Sequence, residues 1–497
     1  MRLIATCFAT LLVTALFGNA NAADCRDLLF ESFDPLGIRS QTKTEFPYAT
    51  FAENYTHYDS SGQPYKPGHL NQESLQYDLK FQPPESIDYP ISTLLRKSGL
   101  GLARLQEMFS IPKKLRRFYD RENGTFTYQS GRQIELQPEN GDRPIELIRL
   151  NFRKEYAEIY QLFLKDLQQA LTFDPNLQIV ILYARGSKQT LDKLIQNTFE
   201  PSMALRVETK PVKTEDLIEI YAQDDSKPST GGILVRANLE YSDVTRHAQP
   251  YESAMNALEN QGQRTTSANV YFHGGDIIVG KRHLFIGKNL INLAQKRLHI
   301  SQAEAIRMFE VEFGKKVFMV GAKVAKELII QMDFDADFTL AIVRDKSSGK
   351  ETVLLSSAEK TMEILKKKFK GVKTPKSLNG ADLSEWRLFK ELEQLDFSAR
   401  ALHNQEIIKR LLKEGYDVIE IPYFSLSRNE QFSYANMIPS DQYVLLPEFG
   451  YPALDNSMQQ TISQLGYQVL PVKSAKELAK LRAGPHCLTC SIRDDAD

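Results

Sequence analysis

The chain has 497 residues, of which 42% are hydrophobic and 25% are charged, as in soluble globular proteins. This length exceeds one ordinary hydrophobic core, so we expect two domains. The formal net charge of -1 argues against nucleic acid as a bulk partner, because phosphate binding needs a basic excess or a basic face.

The first 22 residues have the features of a cleaved signal peptide. Arg2 supplies the positive end, residues 3–17 form a short apolar run, and Ala20-Asn21-Ala22 is a small-residue cleavage site. No segment reaches the roughly 18 consecutive apolar residues that a membrane span needs. The sequence therefore predicts a secreted or periplasmic protein whose mature chain begins near residue 23.

Signal removal would take Cys7 and leave Cys25, Cys487 and Cys490. Three cysteines in an oxidising compartment leave at least one unpaired within the chain. A bridge between Cys25 and Cys490 would leave Cys487 free, but the C-x-x-C spacing also permits a disulfide between Cys487 and Cys490 with no catalytic role. A thiol-disulfide exchange site is disfavoured, because too few residues follow Cys490 for the helix that such sites use. No zinc site is expected, since no second C-x-x-C exists.

The pattern of apolar and polar residues in the sequence changes near residue 174. Residues 23–173 predict an N-terminal accessory domain of mixed α+β structure, with helices near 93–109 and 152–171 and a hairpin near 126–136. In residues 174–497, short apolar strands alternate with amphipathic helices, which predicts an α/β domain of repeated units. We expect strands at 179–183, 317–320, 353–355, 418–421, 443–446 and 467–472, and helices from 188 and at 301–313, 358–369, 402–412 and 456–465. Ser301 with Glu304 and Ser474 with Glu477 have capping-box spacing.

Two short motifs lie in the first half of the α/β region. Gln223 and Asp224 follow an apolar run and place a carboxylate at a strand end, although a self-capping turn would explain the same residues. The stretch 273–276, His-Gly-Gly-Asp, stands between an aromatic and a β-branched segment. Its paired glycines allow close backbone approach, but the spacing does not fit a dinucleotide-binding loop.

Three acids alternate between two apolar runs at Asp333, Asp335 and Asp337. In a strand their side chains would crowd one face, where like charges repel and burial raises their pKa values. A cationic substrate or a metal would relieve this repulsion. Calcium binding and an exposed edge strand are the alternative interpretations.

The last motif is the stretch 484–489, Gly-Pro-His-Cys-Leu-Thr, which follows Asn436 by some fifty residues. Together with the earlier motifs it resembles the guanidino-group-modifying, or pentein, superfamily of deiminases, dimethylargininases and amidinotransferases. Gln223-Asp224 is similar to the Gln-Asp pair of peptidylarginine deiminases, and residues 273–276 are similar to the Glu-Gly-Gly-Asp stretch of deiminases. The resemblance covers residues 178–492 and implies a five-fold β/α propeller, with no implication for residues 24–172.

The resemblance also implies roles for individual residues. Asp224 and Asp335 would hold the guanidinium nitrogens, while Cys487 attacks the central carbon and forms a thiouronium adduct. The expected substrate is arginine in a peptide or a small guanidino compound, with no cofactor and no metal. Peptidylarginine is preferred on the strength of Gln223. The residues expected to contact substrate are Asp333, Asp276, Gln223, Asn436, Gly274 and Gly275.

One departure from the family pattern concerns proton transfer. Asp333 stands where the family's His-x-Asp motif begins with histidine, and His273 stands where deiminases commonly have glutamate. We hypothesise that an acid and an imidazole have exchanged strands, so that His273 is a fourth catalytic residue beside Cys487, Asp224 and Asp335. The alternative is an inactive pentein that binds cationic or arginine-rich ligands. The ring of His486 is expected to point away from Cys487 if that segment is extended.

Overall fold

The structure is a computed structural model that describes residues 119–120, 125–126, 128–129, 133–212, 219–239, 245–298, 300–323, 329–331, 333, 335–372, 378, 380–427 and 430–494. The predicted signal peptide, Cys25 and the predicted helix at 93–109 lie outside these residues. No helix in the described part of the chain is long and apolar enough to cross a membrane.

Five sheets of three or four strands dominate the described residues. In spatial order, sheet A contains Thr489–Arg493, Ile145–Phe152, Gln178–Ala184 and Val207–Val212; sheet B contains Ser226–Ser229, Ile233–Arg236 and Thr265–Ser267; sheet C contains Ile277–Val279, His283–Gly287 and Lys316–Val320; sheet D contains Leu340–Arg344, Glu351–Ser357, Asp417–Ser427 and Glu430–Ser433; and sheet E contains Ile438–Pro439, Tyr443–Pro447 and Gln468–Val472. Two shorter pairs join Tyr119–Asp120 to Thr125–Phe126 and Ala322–Lys323 to Ile329–Ile330.

All five sheets share one pattern of pairing. The first strand is antiparallel to the second, and the second is parallel to the third. Parallel neighbours need a crossover, and helices supply it. The crossover helices are Ala157–Phe173 in sheet A, Thr245–Glu259 in sheet B, Lys288–Leu298 and Gln302–Phe313 in sheet C, Ala358–Lys368, Gly380–Leu392 and Ser398–Lys413 in sheet D, and Pro452–Gln464 in sheet E.

The remaining helices are short or lie beside these crossovers. They are Lys188–Thr198, Pro201–Ala204, Ala336–Thr339 and Ala475–Ala479, with single 3-10 turns at Lys154–Tyr156, Arg185–Ser187, Thr230–Gly232 and Gly274–Asp276. The six strands and five helices predicted above by their ranges from residue 179 onward are confirmed, with ends that differ by a few residues.

Of the two predicted capping boxes, one is present. At the start of Gln302–Phe313, the Glu304 N–H donates to the Ser301 hydroxyl at 3.2 Å and the Ser301 N–H donates to the Glu304 carboxylate at 2.7 Å. The Ser474 side chain makes no such bond, so the second box is wrong. The Ser474 N–H donates instead to Asp166 Oδ2 at 2.8 Å, which ties the short helix Ala475–Ala479 to the helix Ala157–Phe173.

The predicted domain boundary at residue 174 falls inside sheet A. The strand Ile145–Phe152 pairs with Gln178–Ala184 on one side and with Thr489–Arg493 on the other. Residues 145–173 therefore belong to the α/β domain, and the predicted helix at 152–171 begins only at Ala157. The predicted hairpin at 126–136 is also displaced, since the described pairing joins Tyr119–Asp120 to Thr125–Phe126.

The last described strand, Thr489–Arg493, lies at the edge of sheet A beside Ile145–Phe152. Ile492 in this strand and Leu488 directly before it are buried. Arg149 in the neighbouring strand is fully buried because Asp225 pairs with its guanidinium, at 3.0 Å between Nη1 and Oδ2. The strand pairing places Thr489 opposite Leu150, directly after the segment that contains Cys487.

Candidate active site

Cys487 lies in a tight turn that leads into the last strand of sheet A; residues 485–488 are called the Cys487 turn below. The Leu488 N–H donates to Gly484 O at 3.3 Å, and the Thr489 N–H donates to His486 O at 3.1 Å. The Cys487 side chain is buried, with 5% of the residue exposed. The segment is therefore turned where an extended conformation was considered, and this changes which way its side chains face.

Asn436 holds this turn from the neighbouring loop. Its Oδ1 accepts the N–H groups of His486 at 3.0 Å and Cys487 at 3.3 Å, and its Nδ2 lies 3.1 Å from the Cys487 sulfur. Gly484 permits this approach, because a Cβ on that residue would stand 2.3 Å from Asn436 Oδ1. The predicted site residue Asn436 thus contacts both the backbone and the thiol of the candidate nucleophile.

Two of the three alternating acids face the same region as Cys487. Asp337 Oδ2 lies 3.5 Å from the sulfur, and Asp335 comes within 3.5 Å of a ring nitrogen of His273. The predicted strand is wrong here. Asp335 instead precedes the single helical turn Ala336–Thr339, whose Ala336 N–H donates to Asp276 Oδ1 at 3.1 Å.

His273 stands between two carboxylates. Its Nε2 is 2.8 Å from Asp224 Oδ2, and its Nδ1 is 3.5 Å from Asp335 Oδ1. Burial alone lowers the pKa of His273, but these two carboxylates outweigh it and raise the pKa well above its ordinary value. Burial raises the pKa of Asp335 to about 6, against the opposing effect of His273. Imidazolium is therefore the form that this geometry favours.

The paired glycines before Asp276 are needed for close packing. A Cβ on Gly274 would lie 2.0 Å from the backbone oxygen of Gln223, and one on Gly275 would lie 2.8 Å from an Asp335 oxygen. The Gly275 N–H also lies 3.3 Å from Asp224 Oδ1. These contacts bring the two motifs at 223–224 and 273–276 together, with a 3-10 turn at Gly274–Asp276.

Asp276 is a fully buried acid in the same cluster. Its Oδ1 accepts from Gln331 Nε2 at 3.0 Å, whereas its Oδ2 has no hydrogen-bond partner. Burial and the neighbouring carboxylate of Asp335 raise the pKa of Asp276 well above its usual range. Asp337 Oδ1 is likewise buried without a hydrogen-bond partner, and Asp335 Oδ1 makes no hydrogen bond but faces His273 Nδ1 at 3.5 Å. Asp276 Oδ2, and Asp337 Oδ1 on the residue that contacts the thiol, are thus available to a cation that can donate hydrogen bonds.

The same surroundings suppress ionisation of the thiol. Burial and the carboxylates of Asp337, Asp335 and Asp224 raise the pKa of Cys487 well above its ordinary value. The sulfur is hydrogen-bonded to Asn436 and Asp337 and not to His273. The His273 ring contacts Asp224 and Asp335.

Asp333 lies apart from this group. Arg400 donates to both of its oxygens, at 3.2 Å to Oδ2 and 2.5 Å to Oδ1, and Thr339 Oγ1 donates to Oδ2 at 2.8 Å. Burial raises the pKa of Asp333, but Arg400 outweighs that effect and holds it below the usual range. Because both oxygens are occupied, the structure does not support the prediction that Asp333 contacts substrate. The acid opposite His273 is Asp335, two residues further along.

Gln223 and His486 contact the cluster from the Asp337 side. The Gln223 amide satisfies its neighbours when its nitrogen faces Asp337 Oδ2 at 3.1 Å and its oxygen faces Lys227 Nζ at 3.0 Å. His486 Nδ1 lies 3.1 Å from Asp337 Oδ2. The prediction that His486 points away from the site is wrong, because the Cys487 turn brings both side chains to the same carboxylate.

Cys487 and Cys490 are both free and buried, so no disulfide joins them. Cys490 lies in the strand Thr489–Arg493, and its sulfur faces Ser226 O at 3.9 Å. Within the described ranges, no group of three or more His, Cys, Asp or Glu side chains is arranged to hold a metal ion. The absence of a metal and of a cofactor stays a prediction.

Sequence reasoning missed Asp337 as a principal contact of the thiol, directed His486 away from the site, and missed Glu139 altogether. Glu139 Oε1 accepts from Lys227 Nζ at 2.7 Å, and Glu139 Oε2 lies 3.8 Å from His486 Nε2. The histidine was visible as the residue before Cys487. Glu139 carries no sequence signal, since it stands in a turn-rich segment far from every motif.

No protein-family profile and no curated protein matches the sequence. Among solved structures, a candidate peptidyl-arginine deiminase superposes with a TM-score of 0.50 at 15% identity, over 72% of this chain and 98% of that chain. An agmatine deiminase from C. jejuni covers 74% of this chain and 98% of its own at 13% identity and a TM-score of 0.49. The agmatine deiminase of Enterococcus faecalis covers 74% and 100% at 11% identity, also with a TM-score of 0.49. The first of these matches shows that the chain shares the α/β fold of that solved structure.

Proposed function

We propose that this protein is a thiol-dependent hydrolase of guanidino groups, in which Cys487 is the nucleophile. The observation that carries the proposal is a buried thiol 3.5 Å from Asp337 Oδ2, in a cluster where Asp337 Oδ1 and Asp276 Oδ2 are buried without a hydrogen-bond partner. A guanidinium is a permanent planar cation with several N–H donors, and it suits such oxygens better than a neutral substrate does.

The proposed reaction has two steps. The Cys487 thiol loses its proton to solvent and its sulfur bonds to the central carbon, while a departing amino group is protonated and leaves as ammonia or an amine, which gives a covalent thiouronium adduct. Water then bonds to the same carbon and the carbon–sulfur bond breaks, so that a urea-type product such as citrulline is released and the thiol is restored. A bound guanidinium beside Cys487 would offset the carboxylates that raise the pKa of the thiol.

His273 is the proposed proton carrier. The contacts with Asp224 and Asp335 support its protonated form, which can give a proton to the leaving nitrogen and then accept one from the attacking water. This proposal revises the hypothesis that an acid and an imidazole have exchanged strands. The acid opposite His273 is Asp335 and not Asp333. Asp333 would then only support the loop that carries Asp335.

The finer attributes of the protein are part of the same proposal. We infer that the five sheets close into a five-fold propeller, and that the chain is secreted or exported to the periplasm. The substrate would be arginine within a peptide or a small guanidino compound, in line with the deiminase names of the structural neighbours. A secreted enzyme meets macromolecular substrates, which favours peptidylarginine.

The test is product formation by purified protein. Arginine, agmatine and an arginine-containing peptide are incubated with the parent, and ureido product and ammonia are measured in parallel. The parent should form both, and acid-quenched samples should carry a mass adduct on the peptide that contains Cys487. Cys487→Ala should form neither, whereas Cys490→Ala should retain activity. Turnover by Cys487→Ala equal to that of the parent, or no product from any guanidino compound, would sink the proposal.

A second candidate is a pentein that binds cationic ligands without turning them over. It is favoured by one observation, that His273 makes its contacts with Asp224 and Asp335 and no hydrogen bond with the Cys487 sulfur. This candidate predicts that an arginine-rich peptide binds equally to the parent and to Cys487→Ala, and that no ureido product forms. Calorimetric titration together with the product assay separates the two functions.

A further inference from the structure

A second charged group touches the Cys487 turn and has no part in the proposed reaction. Glu139 and Lys227 form a buried ion pair at 2.7 Å, and Glu139 Oε2 also accepts the Val279 N–H at 3.2 Å. Lys227 is 1% exposed. Burying such a pair is costly, and a protein retains one where it fixes something else. His486 is a titratable neighbour of the pair, with its Nε2 3.8 Å from Glu139 Oε2.

The proton on His486 can be assigned from its neighbours. Its Nδ1 lies 3.1 Å from Asp337 Oδ2 and 2.9 Å from the Gln223 amide oxygen, in the amide orientation that also satisfies Lys227. Both of these neighbours are acceptors, so Nδ1 carries a hydrogen. The same Gln223 orientation directs its NH2 group to Asp337 Oδ2 at 3.1 Å. Lys227 thereby orients Gln223, and Glu139 faces the other nitrogen of the ring.

Asp337 is the point at which these contacts meet the thiol. Its Oδ2 lies near His486 Nδ1, the Gln223 amide and the Cys487 sulfur, while its Oδ1 is buried and has no hydrogen-bond partner. Two N–H donors on one oxygen stabilise the charged carboxylate and fix its rotation. The second oxygen is left for a donor that the described residues do not supply.

We propose that His486 is a positioning residue of this site. It holds the Asp337 carboxylate through the Nδ1 proton so that Oδ1 stays available to a cation beside Cys487, and the Glu139–Lys227 pair holds His486 and Gln223 in place. The inference rests on the proposed function for the guanidino nature of the cation, but it concerns any planar cationic group that reaches the thiol. It adds to that function the group that makes the site prefer a charged reactant over a neutral one, which is the Asp337 carboxylate held by His486.

The experiment compares two alkylating reagents and needs no turnover. Chloroacetamidine is cationic and iodoacetamide is neutral, and each labels a thiol by displacement of halide. Labelling of Cys487 is followed by mass spectrometry of its peptide in the parent, His486→Ala and His486→Asn, near neutral pH. His283→Gln is the matched control, since His283 lies in sheet C and contacts Tyr416 and Glu414.

In His486→Ala, labelling by chloroacetamidine should slow by about tenfold or more, while labelling by iodoacetamide changes by less than about threefold, because one hydrogen bond to a charged group is lost. His486→Asn can place an N–H where Nδ1 stands, so it should recover most of the cation preference. His283→Gln should leave the ratio of the two rates unchanged.

Two results would overturn the inference. One is an unchanged ratio in His486→Ala, and the other is an equal slowing of both reagents that His486→Asn does not reverse, since a merely structural role predicts that pattern. Failure of the proposed function gives a different picture, in which no ureido product forms while the cation preference and its loss in His486→Ala persist. Turnover together with an unchanged ratio overturns only the role of His486.

Discussion

Asn436 contacts Cys487 at two points, with its Oδ1 3.3 Å from the backbone nitrogen and its Nδ2 3.1 Å from the sulfur. One side chain therefore fixes both the course of the Cys487 turn and the surroundings of the thiol. Asn436 is 1% exposed, so water cannot readily replace either hydrogen bond. Different substitutions of Asn436 should therefore change the stability of the protein and the reactivity of the thiol separately.

We predict different outcomes for Asn436→Ala and Asn436→Asp. The alanine variant leaves the N–H groups of His486 and Cys487 without their acceptor and should lose about 1–3 kcal/mol of unfolding free energy. The aspartate variant keeps an acceptor but puts another carboxylate beside the sulfur, so it should slow iodoacetamide labelling of Cys487 by about tenfold, equivalent to about one unit of thiol pKa. Urea unfolding and labelling kinetics measure the two effects.

Asn404→Ala is the matched control for loss of a buried asparagine. Its Nδ2 donates to Ser356 O at 2.9 Å, within sheet D. This variant should lower stability without slowing the labelling of Cys487. An Asn436→Asp variant that labels as fast as the parent would show that Asn436 does not set the environment of the sulfur.

Removing the charge of Asp337 should make the thiol more reactive and the protein less active. Burial and Asp337 are the two largest causes that raise the pKa of Cys487, so Asp337→Asn should lower that pKa and speed iodoacetamide labelling near neutral pH. The expected gain is about tenfold, since each pKa unit changes the thiolate fraction by that factor. Guanidino turnover should fall by at least about tenfold, because a charged hydrogen bond to the cation is lost.

Asp345→Asn is the control, because Asp345 accepts only from neighbours in an exposed turn, including Ser347 and Ser348. It should alter neither the rate of iodoacetamide labelling of Cys487 nor the rate of guanidino turnover. If Asp337→Asn labels more slowly than the parent, the electrostatic account of the unreactive thiol is wrong.

The pentein resemblance and about half of the strands of sheets C to E could be predicted from sequence, because these strands and the helices between them alternate with clear periodicity. The strand Ile145–Phe152 could not. It contains Glu146, Arg149 and Asn151, and it lies in a sheet interior because Arg149 pairs with Asp225, 76 residues away in the sequence. Hydrophobic patterning does not register a strand whose buried charge is neutralised by a distant partner.

The sequence predicted most of the residue types of the site, but not which of the three alternating acids face it. The alternation of Asp333, Asp335 and Asp337 suggests a common strand face, yet Arg400 binds Asp333 while the chain turns into Ala336–Thr339. Arg400 lies 67 residues further along, and nothing local marks it as a partner. The role of His486 was missed for a related reason, since its direction depends on a turn held by hydrogen bonds from Asn436.

The Arg400–Asp333 pair should be structural and separable from the site. Asp333→Ala leaves a buried guanidinium unpaired and should cost about 3–5 kcal/mol of unfolding free energy. Adding Arg400→Met removes the stranded charge and should recover part of that loss. Chemical unfolding measures both, and the double variant should label at Cys487 at the parent rate.

If Asp333 contacts substrate, the double variant will regain stability but lose guanidino turnover by the same factor as the single variant. Recovery of turnover together with stability is the result expected from the structure.

The pair of carboxylates around His273 predicts a particular dependence of stability on pH. Because Asp224 and Asp335 raise the pKa of His273 above its ordinary value, the folded state holds the proton more tightly than the unfolded state does. The stabilisation is complete below the unfolded pKa of about 6.5 and is lost as pH rises through the folded pKa. Asp335, with its pKa raised to about 6, makes stability fall further between about pH 4 and that value.

The stability lost in His273→Gln should therefore be largest near about pH 6 and should shrink steadily toward about pH 9. Urea unfolding of parent and variant across this range measures the difference. His283→Gln is the control, because burial lowers the pKa of His283, so its effect on stability should be flat above about pH 6.5. A His273→Gln difference that is also flat above that pH would mean that His273 is not held as an imidazolium, and the proton carrier of the proposed reaction would then have to be sought elsewhere.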